Sequence, residues 1–148
     1  MKYTSATESD LPFIIETYEE NIQALHGAHR SHAVWEALLS DKASAYYIVH
    51  ADAPAAWFRI DRTDDGFELG MLQVHPLYHR QGIGRFILFT AEDMAKEEGF
   101  DRIIIHTTED NHAAQALYSS SGYALVEIGP CTTADGCERV GYTYQKEI

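Results

Sequence analysis

The sequence predicts a single α/β domain with one mixed, mostly antiparallel sheet and helices on both faces. Its 148 residues are the length of one ordinary domain. Strand-like and helix-like segments alternate in the order β-α-α-β-β-β-α-β-α-β-β, without a repeat, a low-complexity tract or a linker. Short turns join the strands within each run, which favours antiparallel pairing. We therefore expect one domain over residues 1–148.

The first half of the chain is predicted to contain a short strand, two helices and a three-stranded meander. Thr7, Ser9 and Asp10 are candidate caps of the first helix, whose apolar residues recur at helical spacing. The segments ADAP and TDDG supply the turns between the three strands. The predicted elements are strand 2–6, helices 7–24 and 31–39, and strands 45–50, 55–61 and 67–75.

The second half is predicted to contain two more helices, a buried strand and a closing hairpin. Pro76 ends the meander, and Gly99 and Gly122 follow the two helices as C-terminal caps. Three consecutive isoleucines at 103–105 favour a strand that is covered on both faces. The predicted elements are helix 82–98, strand 101–107, helix 111–121, and strands 123–133 and 138–148.

The composition excludes several classes of function. The 23 Asp and Glu outnumber the 11 Lys and Arg, so the net charge is −12 and its field repels nucleic acids and anionic membranes. No apolar run approaches the ~20 residues of a membrane span, and the N-terminus has no signal-peptide core. Cys131 and Cys137 are too few for a disulfide framework and are expected to be thiols. We expect a cytoplasmic protein that binds neither nucleic acid nor membranes.

One window departs from this acidic character. Leu69 to Ala91 contains no Asp or Glu, although about three or four would be expected at the average density. Within it, the turn HRQGIGR (79–85) joins a strand to a helix, where backbone N–H groups lack partners and the helix dipole is positive. Gly82 and Gly84 let a ligand approach the backbone, so the turn is predicted to bind phosphate or pyrophosphate.

Two familiar phosphate motifs fit this turn poorly. The dinucleotide fingerprint needs a third glycine where the chain has Ile87, and the P-loop needs a Gly-Lys-Ser/Thr run that the sequence lacks. An ordinary glycine-rich helix cap is the alternative to an anion site. The absence of acidic residues around the turn favours the anion site.

Two segments resemble motifs of the GNAT acetyltransferase superfamily. VHPLYHRQGIGRFIL, which begins at Val74, is similar to motif A, whose pattern is Val-x-Pro-x-Tyr and then Arg/Gln-x-x-Gly-x-Gly/Ala. NHAAQALYSSSGYALVE, which begins at Asn111, is similar to motif B. The predicted element order is also that of the family, so a GNAT-like fold is implied for the whole chain. One departure is His79, which stands where Arg or Gln is usual.

The resemblance implies that acetyl-CoA is the co-substrate. Backbone amides of the turn would hold its pyrophosphate, and its pantetheine arm would lie as an extra strand beside Leu72–Val74. A backbone N–H there, first of all that of Val74, would receive the charge developing on the thioester oxygen. Motif B supplies Tyr118 as the general acid for the leaving thiolate, although a core aromatic is the alternative. The implied cofactor-binding residues are Leu72, Gln73, Val74, Arg80, Gln81, Gly82, Ile83, Gly84, Arg85 and Asn111.

A base must take the proton of the attacking ammonium, and two residues compete for this role. Glu68 lies six residues before Val74 and His106 lies five before Asn111, both at positions where some family members carry a base. His106 is slightly favoured because the ordinary pKa of imidazole is near neutrality, whereas the pKa of Glu68 would have to be raised by burial. A structural role is the alternative for each.

The sequence thus predicts an N-acetyltransferase that moves acetyl from acetyl-CoA to a primary amine by direct attack. The net acidity favours a cationic small molecule as acceptor. A protein or peptide N-terminus, a lysine, or a CoA-binding sensor without turnover are the alternatives. The histidines His26, His29 and His32 are expected to face solvent or the acceptor, and no metal is predicted. A homodimer is an open expectation.

Overall fold

A seven-stranded sheet forms the centre of the computed structural model, which describes residues 1–148. Its strands are β1 Lys2–Ser5, β2 Ser44–His50, β3 Pro54–Thr63, β4 Gly66–Val74, β5 Arg102–Thr108, β6 Ala124–Thr132 and β7 Glu138–Glu147. They lie in the order β1-β2-β3-β4-β5-β7-β6. Strands β4 and β5 pair in parallel, and every other pair is antiparallel. The predicted mixed, mostly antiparallel sheet is confirmed.

The helices follow the predicted order, with one difference. They are α1 Leu11–Glu20, α2 Ile22–Leu25, α3 His32–Ser40, α4 Ile83–Glu97 and α5 His112–Ser120, with 3-10 turns at Glu8–Asp10 and Pro76–Tyr78. The first predicted helix breaks at Asn21, where the backbone leaves helical geometry (φ −102°, ψ 5°) while its side chain binds strand β4. None of the helices has the length and apolarity needed to cross a membrane.

Both faces of the sheet are covered by helices. Trp57 and Phe58 are neighbours on β3 and both are fully buried, so they must point to opposite faces. Trp57 packs with residues of α1 and α3, among them Trp35. Phe58 belongs to a larger cluster with the buried stripe of α4 and Tyr118 of α5. We call these two sides the α1–α3 face and the α4 face.

Strand β4 carries a bulge at Gly70. Arg59 of β3 pairs with Met71, but the next residue of β3 pairs with Leu69, so Gly70 has no partner. A Cβ atom at this position would overlap the Asp61 carboxylate and the Arg59 guanidinium. Glycine leaves this space to the Arg59–Asp61 ion pair, and the bulge bends the strand and interrupts its ladder.

Strands β4 and β5 separate just beyond this bulge. Their parallel pairing is limited to Phe67–Leu69 and Ile103–Ile105. Strand β5 then continues to Thr108 beside β7, while β4 continues to Val74 beside β3. The last residues of β4 therefore have a neighbour strand on one side and an open cleft on the other.

The chain ends in the predicted hairpin of β6 and β7. Cys131 lies opposite Arg139, and both cysteines are free thiols. In the turn of the hairpin, the backbone N–H of Asp135 donates to the carbonyl of His26 (3.0 Å). This bond connects the hairpin to the segment that follows α2.

Candidate active site

A cavity of about 660 Å³ occupies the opening between β4 and β5. The structure gathers eight of the thirteen predicted site residues around it, namely Leu72, Gln73, Val74, Arg80, Gly84, His106, Asn111 and Tyr118. The other five predicted residues, Glu68, Gln81, Gly82, Ile83 and Arg85, adjoin these in the chain or in space without lining the cavity. Asn21, Ala24 and Leu25 add a wall that the motifs did not indicate.

The open edge of β4 directs backbone groups into this cavity. The N–H of His75 donates to the carbonyl of Ala55 (2.9 Å), which marks that pair as hydrogen-bonded. Because the two types of pair alternate, Leu72 and Val74 belong to the other type, and their N–H and C=O groups point away from β3. Strand β5 has already separated there, so no strand pairs with these groups.

The carbonyl oxygen of Val74 accepts two side-chain hydrogen bonds. The amide Nδ2 of Asn21 lies 3.0 Å from it, and His79 Nε2 lies 2.9 Å from it. A carbonyl only accepts, so His79 Nε2 carries a hydrogen. His79, the departure from motif A, thus ties the start of the glycine turn to the end of β4. Nothing in the local sequence of Asn21 indicates this distant partner, so the motifs do not predict its role.

The turn before α4 has the backbone geometry of an anion site. Arg80 (φ 62°) and Gly82 (φ 76°) adopt left-handed conformations, and α4 has no acidic residue in its first turn. A Cβ atom on Gly84 would lie 2.9 Å from Cδ2 of Leu117, so glycine lets α4 pack closely on α5. The side chain of Ile83 is buried in the core, which leaves its backbone as the part available to a ligand.

Tyr118 lies on the α4 face with only 7% of its surface exposed. Burial, and to a smaller extent the neighbouring Tyr144, raises the pKa of Tyr118 to about 12. Its ring meets that of Tyr144 edge-on at 5.5 Å. A phenol with such a pKa stays protonated at neutral pH, as a proton donor must. Asn111 begins the same helix, and its side-chain oxygen accepts from the N–H of Ala114 (3.2 Å) as an N-cap.

The two competing bases form a pair. His106 Nε2 lies 3.4 Å from Glu68 Oε1, and His106 Nδ1 lies 3.0 Å from the Thr143 hydroxyl. The side chain of His106 is 57% exposed and that of Glu68 is 17% exposed. Both alternate with residues that face α4, so the pair lies on the α1–α3 face. The cavity therefore separates this pair from Tyr118, which lies on the opposite face.

The three histidines of the HGAHRSH segment do not converge. His26 Nε2 lies 2.7 Å from Asp110, His29 Nδ1 lies 2.6 Å from Glu19, and His32 Nε2 lies 2.8 Å from Glu36. A hydrogen bond from Thr108, followed by the one from His26, lowers the pKa of Asp110. No group of three or more His, Cys, Asp or Glu side chains is arranged to hold a metal ion. His26 alone of the three joins separate segments around the cavity.

Comparison with known proteins identifies the family. The sequence matches the model of the "Acetyltransferase (GNAT) family" over residues 11–123. The chain belongs to this family. Among curated relatives of this GNAT protein, mycothiol acetyltransferase of Beutenbergia cavernae is 30% identical over 90 residues, which are 57% of this chain and 30% of that protein. The chain spans less than half the length of each curated relative that it matches.

Solved structures show the same GNAT fold. The ribosomal-protein-S18-alanine N-acetyltransferase from Escherichia coli superposes with a TM-score of 0.75 and 25% identity, covering 99% of this chain and 93% of that one. The PaiA N-acetyltransferase from Thermoplasma acidophilum, determined in complex with coenzyme A, has a TM-score of 0.72 and 16% identity over the full length of both chains. The predicted GNAT fold is confirmed.

Proposed function

We propose that this protein is an N-acetyltransferase that moves an acetyl group from acetyl-CoA to a primary amine by direct attack. The observation that carries the proposal is the arrangement of three features around one cavity. These are the free N–H groups at the end of β4, the protonated phenol of Tyr118 on the α4 face, and the Glu68–His106 pair on the α1–α3 face. An acetyl donor bound in this cavity would have a proton donor on one side and a base on the other.

The residues present fit coenzyme A. Arg80 and the backbone amides of residues 80–85 offer positive potential and hydrogen-bond donors to a pyrophosphate, within the longest stretch of the chain without acids. Leu72 and Val74 offer N–H groups to an arm lying along β4. When bound, acetyl-CoA would supply the activated acyl thioester. The coenzyme A complex of the PaiA enzyme supports this placement through the shared fold.

The chain's own residues then divide the work of proton transfer and charge stabilisation. His106 takes the proton of the incoming ammonium, and Glu68 orients the imidazole and stabilises its cationic form. The Leu72 and Val74 amides stabilise negative charge on the acyl oxygen. Tyr118 gives its proton to the departing sulfur, for which its protonated state prepares it. No residue is placed as a covalent nucleophile in this scheme.

For the acceptor we propose a cationic amine. Two carboxylates lie beside the cavity through partners on its rim, Glu68 next to His106 and Asp110 next to His26, and Asp135 lies in the hairpin turn that bonds to His26. Their charge attracts an ammonium group and adds little to the affinity for a neutral amine. A peptide N-terminus is the second candidate, favoured by the 25% identity to the S18-alanine N-acetyltransferase. A homodimer and a cytoplasmic location stay predictions.

The test is release of coenzyme A thiol from acetyl-CoA with a panel of amines. The panel contains polyamines, aminoglycosides, amino acids and short peptides with a free N-terminal alanine. We expect turnover with at least one cationic amine, reduced at high ionic strength because exposed charges are then screened. Binding of acetyl-CoA without turnover on any amine would instead support a sensor, and absence of binding would contradict the proposal.

A further inference from the structure

Asn21 holds an unusual position for a polar residue in a helical segment. It separates α1 from α2, and its amide Nδ2 donates to the Val74 carbonyl (3.0 Å) and to Gln73 Oε1 (3.1 Å). Both hydrogens of the amide are thus used on the end of strand β4. Gln73 is buried, so its side-chain oxygen depends on this bond.

The backbone of Val74 therefore binds side chains through its carbonyl and is open to the cleft at its N–H. Its carbonyl has two lone pairs, and Asn21 and His79 occupy both. Its N–H points into the same cleft and has no strand partner. A ligand that pairs with this N–H contacts the residue whose carbonyl Asn21 already holds.

On its other side, Asn21 leads into the wall of the acceptor region. Ala24 and Leu25 of α2 line the cavity. His26 follows them, accepts from the N–H of Asp135 through its carbonyl and pairs with Asp110 through its ring. Asn21 is thus connected, through the backbone and these contacts, to the α2 segment, the hairpin and the loop before α5.

We propose that Asn21 is a positioning residue that transmits occupation of the donor groove to the wall of the acceptor site. The proposal rests on the proposed function, because it takes the β4 edge as the place where coenzyme A binds. Asn21 makes no contact with reacting atoms in this role. It sets the distance between the strand that holds the donor and the helix that faces the acceptor.

Hydrogen exchange with and without coenzyme A tests this without knowledge of the amine. In the wild-type protein, we expect coenzyme A to slow exchange in the turn 80–85 and also at the amides of Leu25, His26 and Gly27, which donate to the carbonyls of residues 21–23. The expected slowing at the second site is about fivefold, the equivalent of one hydrogen bond. Asn21→Asp keeps the size of the side chain but loses both hydrogen-bond donors. In this variant, coenzyme A should therefore slow exchange in the turn only.

Gln23→Glu is the matched control, since it adds the same charge on an exposed position two residues away and should respond like the wild type. Asn21→Ser replaces Asn21→Asp if the latter does not fold. The role of Asn21 is overturned if coenzyme A slows exchange in the turn of the wild-type protein but not at residues 25–27. It is also overturned if coenzyme A slows exchange at both sites in the Asn21 variants. Absence of protection and of calorimetric binding in the wild type overturns the proposed function as well.

Discussion

The proposed donor side of the cavity, for acetyl-CoA, and its proposed acceptor side, for the amine, are built in different ways. The donor side consists mainly of backbone, namely the open edge of β4 and the left-handed turn before α4. The acceptor side consists of side chains from separate parts of the chain, such as Glu68, His106 and the His26–Asp110 pair. A site made of backbone groups requires a particular backbone conformation and tolerates many side chains. A site made of side chains requires a particular residue at each position. Substitutions should therefore affect the two sides differently.

The largest effect is expected where the two sides meet, at Tyr118. Tyr118→Phe removes the proton donor and should lower kcat about 100-fold or more. Affinity for coenzyme A should stay within about twofold, because the lost hydroxyl makes no hydrogen bond to the protein and its removal opens little space. Single-turnover kinetics with isothermal titration checks both expectations. A parallel loss of binding and rate would show that Tyr118 is only a packing residue.

The raised pKa of Tyr118 also determines how the stability of the folded protein changes at high pH. The folded protein keeps this proton to about pH 12, whereas the unfolded chain loses it near the ordinary value of about 10. The stabilising contribution is therefore complete below pH 10 and is lost between pH 10 and 12. Urea unfolding should show falling stability over that range. The Tyr118→Phe protein should show a smaller fall.

The next largest effect is expected for the pair on the acceptor side. Glu68→Gln and His106→Ala should each lower kcat/KM for the amine about 10- to 100-fold, with little change in coenzyme A affinity. His106→Ala should cost more than Glu68→Gln, because His106 takes the proton and Glu68 acts through it. If Glu68→Gln costs more than His106→Ala, the base is Glu68.

A smaller effect, confined to binding, is expected for the glycine turn. Gly82→Val places a β-branched residue at φ 76° and costs about 1–3 kcal/mol of backbone strain. Affinity for coenzyme A should fall about tenfold while kcat at saturation changes little. Gly99→Val is the matched control, because Gly99 has φ 86° and open space around it at the other end of α4. Equal losses of affinity in both variants would contradict a specific cradle.

The smallest effects are expected among the three histidines, which differ in their contacts. His26→Ala removes a link between segments around the cavity and should raise KM for the amine about two- to fivefold. His29→Ala, at a side chain that is 82% exposed, should change KM and melting temperature little. Steady-state kinetics on both variants makes the comparison. Similar changes in KM would show that the whole segment acts through its charge.

The difference between the two sides also explains what could be predicted from sequence. The glycine turn depends on Gly82 and Gly84, which are local, and the element order follows from periodicity. The Glu68–His106 pair joins residues 38 positions apart, and the Asn21–Val74 bond joins residues 53 apart. No local pattern indicates that two strands will place these side chains on the same face and within reach of each other. The sequence therefore presents the pair as two rival bases and predicts that Asn21 lies inside an unbroken helix.

The bulge at Gly70 makes the candidate site depend on the number of residues in β4. Before it, odd-numbered residues of β4 such as Phe67 and Leu69 face α4, and after it, even-numbered residues such as Leu72 and Val74 do. The alternation of side chains between the two faces of β4 thus shifts by one residue at Gly70, which has no side chain. Deletion of that single codon would make Leu69 and Met71 neighbours, which restores a regular ladder with every side chain on its present face but removes the bend in the strand. The geometry of the candidate site therefore depends in part on one additional residue in β4. Substitutions do not change the number of residues, so they leave this feature intact.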